Sequence, residues 1–165
     1  EEAEIELIER LLKKAVDALI GFRTDEGKIL ESEFKKRLKN LEELFEQVEI
    51  VDPERNTKIK EKLQFALDSL EVEVDQNRFE QELIYYLEKY DITEEKVRLK
   101  NHIEYFKNNL DNDTSNGKKL GFIAQEIGRE INTIGSKANH ANLQKLVIQM
   151  KDELEKIKEQ LLNVL

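Results

Sequence analysis

The sequence predicts an all-α protein in which long antiparallel amphipathic helices form an elongated bundle. Three observations lead there. Apolar residues recur at three- and four-residue spacings along most of the chain, the period of one helix face. Runs that alternate apolar and polar, as half-buried strands do, are few. Charged residues make up 38% of the 165 residues and proline occurs once, so little interrupts a helix.

The first stripe is Ile5, Ile8, Leu12, Val16 and Leu19. Gly21 and Gly27 weaken the helix without forbidding it, and the stripe resumes at Leu30, Phe34, Leu38, Leu41, Phe45 and Val48. That segment is either one long helix or two helices meeting near Gly27. Val51-Asp52-Pro53-Glu54-Arg55 reads as a break, with Asp52 a good N-cap and Pro53 suited to a first turn. A new helix is therefore expected over about 53–70, and the chain divides into a helical arm at 1–70 and a helical core at 75–165. Another helix starts near Asp75. Thr93 then offers an N-cap with Glu94 and Glu95 in the first turn, where the helix dipole favours acids. Leu99, Ile103, Phe106 and Leu110 make its apolar face, and residues 111–117 read as a polar loop. A helix from 117 to near Gly135 follows, then a last one from about 141. The last carries Leu143, Val147, Met150, Leu154, Ile157 and Leu161, a heptad seam for another helix.

Four of the six glycines fall within residues 117–135. At 100° per residue Leu120, Ile123, Ile127, Ile131 and Ile134 share one face, with Gly121, Gly128 and Gly135 together on its flank. Three glycines cost about 3 kcal/mol of helix propensity. A glycine line lets another backbone approach, either a packed helix or a phosphate chain. The other side carries Glu126, Arg129, Glu130, Thr133, Ser136 and Lys137. Glu126 and Glu130 are four apart, so both carboxylates leave one face, and such a pair can hold Mg²⁺ or Mn²⁺ through oxygen. The same spacing is common on solvated surfaces. Arg129 and Lys137 can bind phosphate beside it. His102 borders the apolar face of its helix, either structural or able to ligate metal or carry a proton, and His140 reads as a helix-start residue.

The net charge of −9 argues against general adhesion to nucleic acid or anionic membrane. Residues 98–145 are nevertheless +3, against −12 for the remainder, which can direct a polyanion to one place. There is no cysteine, hence no disulfide or thiolate metal site. No apolar run approaches the ~18 residues of a membrane span.

The segment from Gly117 to Asn139 resembles the C-terminal signature of the YicC/YloC family of bacterial endoribonucleases. Phe122, Gln125, Glu126, Arg129, Glu130, Asn132, Thr133 and Gly135 to Lys137 carry the likeness. Upstream, Asp91, Glu94, Glu95, Arg98, His102 and Phe106 match a second stretch, and Arg23, Glu26 and Gly27 a third. Gly121, Gly128 and His140 depart from the form with Asp, Asn and Asp at those places. The resemblance implies an RNA-cleaving enzyme of the bacterial cytoplasm that uses Mn²⁺, with Mg²⁺ possible, and assembles as a homo-oligomer, a hexamer. It also implies an N-terminal α/β-type domain, whose MTGFG start and RSVNHR stretch do not occur in this sequence. On that footing Glu126, Glu130 and Asp91 are expected to hold metal, with Glu126, Glu130 and His102 catalytic. Arg98, Lys118, Lys119, Arg129 and Lys137 are expected to bind RNA phosphates. The alternative is a non-catalytic helical module that oligomerises or clamps RNA.

Overall fold

The computed structural model describes residues 2–69, 75–110 and 117–164. They form five helices: α1 Glu2–Asp68, α2 Gln76–Lys89, α3 Thr93–Leu110, α4 Gly117–Lys137 and α5 Ala141–Leu161. No strand occurs among the described residues. The polar stretch at 111–116, expected as a loop, lies outside them.

Four helices make the bundle. The middle of α1 packs on α5 and α3, α3 on α4, and α4 on α5. Every pairing is antiparallel, as the cross-helix contacts show. Asp52 meets Lys96 while Glu42 meets Lys107 across α1 and α3. Glu95 meets Lys137 across α3 and α4, and Tyr105 lies under Lys119. The core is Phe34, Leu38, Leu41, Phe45 and Val48 of α1 with the expected faces of α3, α4 and α5. Phe34 and Phe106 meet with ring centroids 6.0 Å apart.

The heptad residues of α5 from Leu143 to Ile157 are buried against α1 and α4. The helix that the seam was read as needing is thus supplied by the same chain. The opposite holds for the first stripe of α1. Ile5, Ile8, Leu12, Val16 and Leu19 are 50–60% exposed, and every described side chain from Ala3 to Ile29 is exposed. This part of α1 projects from the bundle as an arm.

Two boundary readings are corrected. First, α1 runs unbroken through Gly21, Gly27 and Pro53. Proline inside a helix loses one hydrogen bond and costs about 3 kcal/mol, but here both flanks are anchored in the bundle. The core spacing Leu41, Phe45, Val48 continues to Asp52 and Arg55, both buried. Arg55 Nη2 donates to Asp52 Oδ1 at 2.7 Å, and Lys96 Nζ of α3 to Asp52 Oδ2 at 2.7 Å. Asp52 therefore ties α1 to α3 from the helix interior instead of capping a new helix. Second, Thr93 is the first residue of α3 rather than its cap. Asp91 does the capping, accepting the Thr93 backbone N–H at 3.2 Å and its hydroxyl at 2.8 Å. Asp75 caps α2 as its neighbourhood suggested, accepting from the N–H groups of Asn77 and Arg78.

The glycine seam is real at two of three positions. A methyl on Gly135 would sit 2.9 Å from Val147 Cγ1, and one on Gly128 3.1 Å from Leu154 Cδ2. The close neighbour is α5, so the glycines serve helix packing. Gly121 has nothing within 4 Å, whereas Gly117 approaches Val164.

Candidate metal centre

On α3, residues 95, 98, 102 and 105 follow one another at helical spacing. On α4, so do 119, 122, 126, 130, 133 and 137. Because the two helices are antiparallel neighbours, these stripes run side by side. His102 of α3 and Glu126 and Glu130 of α4 converge, each offering one ligand atom, with all three atoms within 4.8 Å of one another. The two carboxylates stand one turn apart on a single helix and the imidazole comes from the next, so the backbone fixes the triangle.

The three differ in surroundings. The Glu130 side chain is 5% exposed, and Arg98 Nη1 lies 4.0 Å from its Oε1. Arg98 is itself engaged by Glu94 one turn earlier. A buried carboxylate faced by one shared cation at that distance is poorly compensated, and a buried charge needs a partner. Glu126 is 49% exposed and has Arg129 Nη1 at 3.9 Å. His102 is half-buried.

The donor set fits a small divalent ion. Bonds near 2.1 Å put adjacent ligands about 3 Å apart and opposite ones about 4.2 Å apart. The observed limit of 4.8 Å is little wider than the spacing of opposite ligands. Two carboxylates suit Mg²⁺ or Mn²⁺, and an imidazole nitrogen moves the set away from Mg²⁺, which takes oxygen ligands.

The other expected site residues are placed as follows. Asp91 stays at the start of α3 as its cap, outside the His102–Glu126–Glu130 group. Its carbonyl accepts from Lys137 Nζ at 3.0 Å, and Glu95 Oε1 holds the same ammonium at 2.7 Å. Lys137 thus fastens the end of α4 to the start of α3. Arg129 is exposed on the solvent side of α4. Lys118 is exposed, and Lys119 places its Nζ 5.0 Å from the Tyr105 ring centroid.

Sequence reasoning missed the buried ions. Asp52, Arg55 and Glu95 stood as a cap and two residues of first helical turns, yet all three are buried. The signal was available: 41, 45, 48, 52 and 55 are spaced 4, 3, 4, 3, so the last two are charged residues at core positions. His140 occupies the N-cap position of α5 without a side-chain cap bond. Gln144 closes that turn instead, its amide donating to the carbonyls of Gly135 and Ala138.

Residues 46–165 match the family described as endoribonuclease YicC-like, C-terminal. Two curated relatives each carry the description probable endoribonuclease YicC. That of Clostridioides difficile strain 630 is 39% identical over 170 residues. That of Haemophilus influenzae strain Rd is 29% identical over 168 residues. Each alignment covers 99% of this chain and 58% of the relative, so the chain spans little more than half their length.

Proposed function

The chain belongs to the YicC-like endoribonuclease family, and from that premise we propose that it carries the metal-binding part of an enzyme that cleaves RNA phosphodiester bonds. The observation that carries this reading is the convergence of His102, Glu126 and Glu130 to within 4.8 Å. A divalent ion held there, Mn²⁺ or Mg²⁺, would supply Lewis-acid stabilisation of charge on the phosphate oxygens.

The protein's own groups do the rest. Glu126 and Glu130 present oxygens from one face of α4. His102 offers a ring nitrogen as a third ligand, or carries a proton to or from the reacting oxygens. Arg98 stands against Glu130 and offers a guanidinium to a bound phosphate. Arg129, exposed on the solvent side, can contact a neighbouring phosphate with its planar fork. Lys118 and Lys119 add positive charge at the start of α4, and Lys137 at its end. The role given to Asp91 is indirect: it caps α3 and holds Lys137 through its carbonyl. Ligands beyond these three would come from the remainder of a longer polypeptide or from another subunit. A homo-oligomer in the bacterial cytoplasm, a hexamer in the family's pattern, belongs to the same proposal.

The test is cleavage of end-labelled RNA with Mn²⁺ and with EDTA. It uses this chain alone and the chain within a polypeptide of its relatives' full length. Glu126→Gln and Glu130→Gln should each slow cleavage about 100-fold or more, with the helical fold retained by circular dichroism. If both variants cut at the parent rate, the chemistry lies elsewhere.

The second reading, a non-catalytic module that oligomerises or clamps RNA, draws on the arm of α1. Its stripe of large apolar residues covers nothing in the bundle. That reading expects both glutamine variants to be silent.

A further inference from the structure

We propose that Tyr105 and Phe122 form a stacking platform for unpaired nucleobases beside the His102–Glu126–Glu130 group, selecting single-stranded RNA over duplex. This inference rests on the metal-site reading above and adds the substrate's strandedness to it.

Phe122 is 59% exposed on a helix whose other large apolar residues are all buried. Tyr105 is 47% exposed on α3. Phe122 precedes Glu126 by four residues and Tyr105 follows His102 by three, so each ring stands one helical turn from a member of the candidate centre. They come from neighbouring antiparallel helices and flank the same end of the centre. Lys119, one turn before Phe122, sets its Nζ 5.0 Å from the Tyr105 ring centroid. Two aromatics from neighbouring helices therefore share one end of the polar seam.

Charge distinguishes that end. Along the rest of the seam the cations are engaged, Arg98 by Glu94 and Lys137 by Glu95. Lys118 and Lys119 make no ion pair among the described residues. Cations without acidic partners beside exposed rings are what a single strand requires, since its backbone follows the charge and its bases lie on the π faces. A duplex keeps its bases stacked inside and offers phosphates and 2′-hydroxyls, for which rings are of no use.

The test separates binding from cleavage. Fluorescence anisotropy in EDTA would compare an unstructured 12-nucleotide RNA with a 12-base-pair RNA duplex. Phe122→Leu and Tyr105→Leu keep apolar bulk and helix propensity while removing the π face. Each should weaken single-strand binding on the order of tenfold or more. Duplex binding should be unchanged, and tyrosine emission should be quenched by the single strand alone. Equal effects on both RNAs, or none on either, overturn the platform. So does a change in light-scattering mass that accounts for the loss. The two readings fail separately. Metal-dependent cleavage with an unaltered strand preference in the leucine variants defeats stacking alone. Single-strand binding that depends on the rings, with Glu126→Gln and Glu130→Gln still cutting normally, defeats the metal site alone.

Discussion

Glu153 collects three donors at the junction of α1 and α5. Arg37 Nη1 lies at 3.2 Å, Asn40 Nδ2 at 2.8 Å and Lys156 Nζ at 2.7 Å. Burial pushes this carboxyl up, but the hydrogen bonds from Lys156, Asn40 and Arg37 outweigh it and hold the pKa below the ordinary 4.5. Hydrogen bonds to Glu33, and then to Glu153, hold Arg37 above its ordinary range. The folded pKa of Glu153 is thus lowered, so its stabilisation is fully present above the unfolded value and is lost as pH falls through the folded one. Urea melts between pH 7 and pH 3 should show Glu153→Gln less stable than the parent at neutral pH. The difference should shrink below about pH 4.5. Of the candidate centre, the Glu126–Glu130 pair was legible because four-residue spacing fixes a shared face. The grouping with His102 came only through the family resemblance, because spacing within one helix says nothing about which turn of its neighbour lies opposite. Asp91 lies apart from that group and accepts from Thr93 at the start of α3, a placement that the residue type alone does not give.

Among the elements, α4 separates two uses of glycine. At Gly121 a methyl meets nothing within 4 Å. Gly121→Ala should raise stability by about 1 kcal/mol, the propensity difference, read as a higher melting temperature. At Gly135 the methyl would lie 2.9 Å from Val147, whose branched side chain has one stiff torsion with which to move. Gly135→Ala should lower stability by about 1–2 kcal/mol, overpacking exceeding the gain in propensity. Angle arithmetic found the flank on which these glycines lie. It could not tell which of them faced a neighbour, since that depends on where α5 runs. Pro53 misled for a related reason. Local chemistry at 52–55 favours a helix start, and only the buried Asp52–Arg55–Lys96 contacts make continuation the better solution.

For the whole molecule, the stripes of α3, α4 and α5 were enough to foresee an antiparallel helical bundle, because each apolar face had to be covered. The stripe of α1 was equally clear in the sequence, but periodicity cannot say where along a helix its cover ends. In the fold that point is near Leu30, the first residue of α1 packed on the core. Removing residues 1–28 should therefore leave the melting temperature of the bundle within a few degrees of the parent, a change below about 0.5 kcal/mol. Leu38→Ala, at a fully buried position, should cost about 2–5 kcal/mol. A calorimetric scan of both proteins would decide it.

The arm also has mechanical meaning. At 1.5 Å per residue its free part reaches about 40 Å beyond its root. A 10° tilt of α1 at Phe34, an adjustment ordinary in helix packing, would carry the tip through about 8 Å. The leverage works in the other direction too. A modest force on Ile8 or Leu12 acts on the α1–α5 contact with a long moment, where Arg37, Asn40 and Glu153 take the torque. The arm is a pointer attached to the packing of the bundle, and movements too small to see in the core are written large at its end.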